Sequence, residues 1–127
     1  MNSFKIKETK DFNDAIIISN HLADIWKDNI DNSYYNKMYN YISKFNDGYL
    51  IGFLSNNPIA SSVAFPVDGI PSFTEINNGN IFDFLNRKGK YYYIHIIQVI
   101  KNFRNKGFGI KLLKYQINTA KKINIRK

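Results

Sequence analysis

The segment from Tyr91 to Ile110 constrains this chain more than any other. It opens with Tyr91-Tyr92-Tyr93-Ile94-His95-Ile96-Ile97-Gln98-Val99, a β-branched and aromatic run that is apolar at positions of both parities. Such a run predicts a strand covered on both faces and central in its sheet. Ile100 to Lys106 follows as a basic loop. Gly107 to Ile123 then carries Ile110, Leu113, Ile117 and Ala120 at helical spacing, which predicts an amphipathic helix with those residues inward. A strand, a short basic loop and a helix start make a defined chemical object. The first helical turn exposes N–H groups without intrahelical partners, and the helix dipole adds partial positive charge there. Gly107 and Gly109 let a bulky anion approach the backbone, while Arg104 and Lys106 add full charges. The unit suits a pyrophosphate.

The rest of the chain supplies the elements around it. Ser3 to Glu8, with Phe4 and Ile6 apolar, predicts a short half-buried strand. Thr9 or Asp11 can cap a helix in which Phe12, Ala15, Ile16, Ser19, Leu22, Ala23 and Trp26 recur. Tyr34 to Phe45 predicts a second helix, and its tyrosines Tyr34, Tyr35, Tyr39 and Tyr41 read as packing or rim residues. Tyr49 to Leu54 and Ile59 to Phe65, joined by Ser55-Asn56-Asn57-Pro58, predict a hairpin. From Pro66 to Gly89, prolines and glycines predict a loop with a short helical turn near Ile81 to Leu85. The order is β-α-α-β-β-loop-β-α, one α+β domain over residues 1–127.

Composition narrows the function classes. With 127 residues and hydrophobic residues at 44%, the chain can bury one core. There is no cysteine, so disulfides, thiolate metal sites and a cysteine nucleophile are excluded. No ligand spacing for a metal is present. The longest apolar stretches, Ala15 to Ile18 and Tyr91 to Ile97, are too short to cross a bilayer. A soluble, cytoplasmic protein without membrane partners is expected. The formal net charge of +8 favours anionic partners, phosphorylated cofactors among them. It also admits a small basic nucleic-acid-binding protein, against which stands the lack of a helix-turn-helix, finger or RNP-like pattern.

The combination of apolar strand, Val99, Arg104-x-x-Gly107-x-Gly109 and Leu112-Leu113 resembles the coenzyme A-binding motif of the GNAT N-acetyltransferase superfamily. The preceding β-α-α-β-β order is similar too, so the resemblance covers essentially the whole chain. It implies the GNAT acyl-CoA N-acyltransferase fold, a mixed, mostly antiparallel central sheet flanked by helices. It also implies transfer of an acetyl group from acetyl-CoA to a primary amine, borne by a small molecule or a peptide, through direct attack. Ile97, Gln98 and Val99 would pair with the pantetheine arm through their backbone. The N–H groups from Asn105 to Ile110 (Asn105, Lys106, Gly107, Phe108, Gly109, Ile110) would hold the pyrophosphate beside Arg104. Two positions depart from the family's pattern: Lys101 stands where a proline is common, and Asn105 where a glycine is common. Family members usually continue past this helix through further strands. A C-terminally truncated form of the fold is therefore expected, with an open sheet edge that invites association with a second copy. A non-catalytic or truncated acyl-CoA-binding relative is the alternative.

Amine acetylation needs a base and donors to the developing oxyanion. His95 is the leading base, since its ordinary pKa near 6.5 suits proton transfer near neutrality. Strand alternation places it on one face with Tyr93, Ile97 and Val99. His95 also resembles, by position, a cleft histidine of arylalkylamine N-acetyltransferases, and Tyr93 a second position functional in several relatives. A core histidine bonded to a carbonyl is the competing role. Glu75, in the long loop, is a further candidate to bind or deprotonate an amine. His21 reads as a surface residue of the first helix.

Overall fold

A computed structural model describes residues 3–26, 31–69 and 85–125. Strand β1 (Phe4–Glu8) leads into helix α1 (Phe12–Trp26) and helix α2 (Asn32–Lys44). Strands β2 (Tyr49–Leu54), β3 (Asn57–Val67) and β4 (Tyr91–Val99) follow. A 3₁₀ turn (Lys101–Phe103) then delivers the chain into helix α3 (Phe108–Ile125). The four strands form one sheet in sequence order, and each neighbouring pair is antiparallel.

Local chemistry fixes the element ends. Asp11, not Thr9, caps α1: its Oδ1 accepts the Asp14 N–H at 2.9 Å, and Asp14 Oδ2 accepts the Lys10 and Asp11 N–H groups in return. Lys7 Nζ lies 2.9 Å from Asp14 Oδ1. Burial works against the Asp14 carboxylate, but Lys7 and the two backbone N–H groups outweigh it and hold the carboxyl below its usual range. Asp31 caps α2 by accepting the Tyr34 N–H. The β2–β3 turn is the two-residue Ser55-Asn56, both with positive φ (52° and 72°), which fits the twist of a hairpin. Strand β3 therefore starts at Asn57 and runs to Val67. Pro66 lies inside it opposite Tyr92 and does not end it.

Helices α1 and α2 cover one face of the sheet. Ala15, Ile18, Leu22, Met38 and Ile42 pack there on Tyr49, Ile51, Val63, Phe65 and Val67. Helix α3 covers the other, with Leu112 on Leu50, Ile59 and Ala60. Nine residues of β3, Ile59 to Val67, are buried, so β3 is covered on both faces along most of its length. Strand β4 is half-buried and lies at the edge of the described sheet, not at its centre. Of the helical turn expected near residues 81–85, residues 81–84 lie outside the described residues, and Leu85 forms an isolated bridge to Val67.

The face of α3 also differs from the sequence expectation. Leu112, Gln116 and Thr119 point inward and are buried, whereas Ile110, Leu113 and Ile117 are 60%, 38% and 42% exposed. The inward face is polar because it carries a bonded network. Gln116 Nε2 donates to Gly48 O at 2.9 Å and to Ser62 Oγ at 3.0 Å, and Gln116 Oε1 accepts from Tyr92 OH at 2.7 Å. Ser62 Oγ passes the chain on to Ile96 O at 2.9 Å. Every polar atom of the glutamine is thus satisfied, the condition under which such a group can be buried.

Candidate active site at the open edge of β4

The loop between β4 and α3 is built for close approach. Asn105 (φ 64°) and Gly107 (φ 85°) both adopt the left-handed region. A methyl group added to Gly107 would meet nothing within 4 Å, so this backbone faces open space. The first helical bond of α3 runs from the Lys111 N–H to Gly107 O at 3.2 Å. The N–H groups of Phe108, Gly109 and Ile110 therefore precede any intrahelical acceptor. Lys101, Arg104 and Lys106 are exposed around them. The residues fit a pyrophosphate: free donors, a helix N-terminus, and cations with no described carboxylate in ion-pair contact.

The start of α3 is held at both ends of its first turn. Phe108 stacks on Phe4 of β1, with ring centroids 4.5 Å apart. Gly109 sits over Ile97 and Val99, whose Cγ2 atoms would lie 3.8 and 3.9 Å from an added methyl. Gly52 makes room for the Phe4 ring, since a Cβ there would fall 2.4 Å from Phe4 Cζ. No sequence motif announced this support.

Strand β4 presents its backbone selectively. The Ile100 N–H donates to Ile59 O at 2.8 Å. Alternation along an antiparallel pair then turns the N–H and C=O of Val99 and Ile97 toward the open edge, and those of Gln98 toward Ser61 of β3. Of the three residues expected to pair with pantetheine, Ile97 and Val99 face the edge through their backbone and Gln98 does not. Arg104 Nε donates to Val99 O at 2.8 Å, so this carbonyl is already engaged and the guanidinium is tied to the end of β4.

A bulge decides which side chains meet. Val63 pairs with Ile96 and Ala64 with Ile94, leaving His95 as the extra residue of β4. Above the bulge Tyr93 faces α1 and α2 and lies 5.9 Å, ring to ring, from Phe65. Below it Ile96 faces that side, and Ile97 and Val99 face α3. The expectation that Tyr93, His95, Ile97 and Val99 share one face is thus corrected. Tyr93 and His95 do come together: Tyr93 OH is 3.4 Å from His95 Nδ1 and the ring centroids are 5.7 Å apart. Burial lowers the His95 pKa from its ordinary value and raises that of Tyr93. At neutral pH His95 is therefore uncharged and able to accept a proton, and Tyr93 keeps its own. Glu75 lies outside the described residues.

His21 is not a surface residue. It is half-buried, and its Nδ1 contacts Ser61 Oγ across the α1–β3 interface. Burial lowers its pKa, against the Pro58 backbone and Asp24, which favour the charged form. The α2 tyrosines divide: Tyr34 and Tyr41 pack on the core, Tyr35 OH donates to Asn20 Oδ1 at 3.0 Å, and Tyr39 meets Phe12 edge-on. Among the described residues no cluster of His, Asp or Glu could hold a metal, and no helix is long and apolar enough to cross a membrane.

Comparison with known proteins agrees with this geometry. The loading GNATL domain of CurA from Lyngbya majuscula superposes with TM-score 0.71 at 14% identity, over 92% of this chain and 58% of that one. A putative acetyltransferase from Pyrococcus horikoshii gives 0.65 at 14% identity, over 94% of this chain and 35% of that one. A predicted acetyltransferase with acetyl-CoA from Clostridium acetobutylicum gives 0.62 at 19% identity, over 98% and 76%. The chain thus spans less than two thirds of the length of the first two. No curated protein sequence matches. These likenesses establish the fold, α+β with a GNAT architecture, and the sequence supplies the family. The model of the acetyltransferase (GNAT) family matches residues 16–127, and the chain belongs to that family.

Proposed function

We propose that this chain binds acetyl-CoA along the open edge of β4 and the start of α3, and transfers the acetyl group to a primary amine by direct attack. The acceptor is a small-molecule or peptide amine. The observation that carries this is the exposed loop from Arg104 to Gly107, with Asn105 and Gly107 in the left-handed region, set between an open strand edge and a helix N-terminus. Family membership supports acyl transfer in general, and the Clostridium acetobutylicum relative is described with acetyl-CoA.

Acetyl-CoA supplies the acyl group as an activated thioester. The N–H groups of Phe108 to Ile110, with Arg104 and Lys106, would hold its pyrophosphate. Ile97 and Val99 would pair with the pantetheine arm, and a free N–H on this edge can also support the carbonyl oxygen as charge develops on it. His95, held neutral by burial and beside Tyr93, is the base that takes the proton the amine loses.

Calorimetry with acetyl-CoA tests the cradle. Gly107→Val places a β-branched residue at φ 85° and fills the open approach, so binding should weaken by at least tenfold. Lys111→Ala, whose side chain lies over the Phe4 ring, should bind within about twofold of wild type, as expected for an exposed contact. Equal affinities in wild type and Gly107→Val would overturn the site. Binding without turnover on any amine would identify an acyl-CoA-binding relative instead.

A further inference from the structure

The proposed function leaves the side chain of Gln98 unassigned. Gln98 is 7% exposed, and its Oε1 is fully buried with no hydrogen-bond partner among the described residues. Buried amide oxygens are rarely left in this state, because desolvation goes uncompensated. Gln98 pairs with Ser61, and directly opposed residues of an antiparallel pair project to the same face. Ser61 carries the His21 contact, so Gln98 lies on the α1 face. On that face of the edge strand it follows Tyr93, His95 and Ile96 in order, and its neighbour Ile97 presents its backbone to the open edge.

We propose that Gln98 Oε1 receives one N–H of the acceptor amine, which makes Gln98 a specificity-determining residue for primary over secondary amines. The inference rests on the acyl-transfer function proposed above. A neutral primary amine carries two hydrogens on nitrogen. As the C–N bond forms and the thioester C–S bond breaks, one proton leaves for the base and on to the departing thiolate. The other stays on nitrogen and remains bonded to Oε1 in the secondary amide product. A secondary amine has one hydrogen, which it must lose, so Oε1 would be stranded again.

The test uses acetyl-CoA turnover on tyramine, benzylamine and an N-terminally blocked peptide with a single lysine, each against its N-methyl counterpart, with wild type, Gln98→Met and Gln98→Glu. Wild type should favour the primary amine by about tenfold, the scale of one buried hydrogen bond. Gln98→Met keeps the volume and removes the oxygen. It should raise the amine KM by about tenfold and lose the preference, with acetyl-CoA affinity unchanged and Tm equal to or above wild type. Gln98→Glu restores an acceptor oxygen and should recover most of the preference. A Gln98→Met enzyme that keeps its KM and preference overturns the inference, as does one that melts below wild type, which would make the side chain structural. Failure of wild type to acetylate any of the amines while binding acetyl-CoA would instead overturn the transferase function itself.

Discussion

Phe4 and Phe108 lie toward opposite ends of the chain and stack at 4.5 Å, so the first strand clamps the first residue of the helix whose start carries the proposed pyrophosphate site. Phe4→Ala should lower stability by about 2 kcal/mol, below the usual cost of a fully buried aromatic because the ring is half-buried. It should weaken acetyl-CoA binding as well, since the first turn of α3 loses its lateral support. Chemical denaturation and calorimetry on the same sample check both. Gly52→Ala should act in the same direction, by pushing the Phe4 ring out of its place.

His95→Ala should lower turnover by roughly 10²–10⁴-fold, the range for a general acid–base group, with acetyl-CoA affinity largely kept. Single-turnover kinetics and calorimetry separate the two effects. Normal turnover, or loss of the folded state, would return His95 to a packing role beside Tyr93.

Gln116→Leu should be costly although it replaces a polar residue with an apolar one inside the core. It strands Tyr92 OH, takes one of two donors from Gly48 O, which keeps the Ala64 N–H, and removes the donor to Ser62 Oγ, which still reaches Ile96 O. A loss of about 1–2 kcal/mol is expected for one abandoned partner and two weakened ones. Thermal unfolding followed by circular dichroism should show it as a clear fall in Tm.

Both described histidines have pKa values lowered by burial. Below about pH 6.5 the unfolded chain takes up protons that the folded chain resists, so stability should fall as pH drops through that region. Above it both forms are neutral and the contribution is fully present. Denaturation midpoints between pH 5 and 8 should therefore rise and then level. His21→Gln should flatten part of the rise.

The strand–loop–helix unit was legible in the sequence because its signals are local: an apolar run, glycines and a helix start sit within a few residues. The hairpin and the first two helices were legible for the same reason. The inward face of α3 was not, because Gln116 and Thr119 look like surface residues until their partners on Gly48 and Ser62 are known. The place of β4 at the edge was hidden by a composition that suits either position. His21 looked exposed because nothing within its own helix points to Ser61, 40 residues away in sequence. Glu75 lies outside the described residues, and its role rests on sequence alone.

The bulge at His95 makes the two halves of β4 obey opposite parities. Tyr93 belongs to the odd-numbered set on the α1 face and Gln98 to the even-numbered set on that face, although both occupy one strand. The unpaired His95 is therefore what separates the two parities, and each half keeps its own phase with β3. Deleting His95 would remove the extra residue itself, so Ile94 on Ala64 would be followed directly by Ile96 on Val63 and both halves would keep their present partners. A residue inserted elsewhere in the strand would instead put one half out of phase with β3 and turn its side chains to the other face, so where a length change falls between Tyr91 and Val99 matters as much as its size.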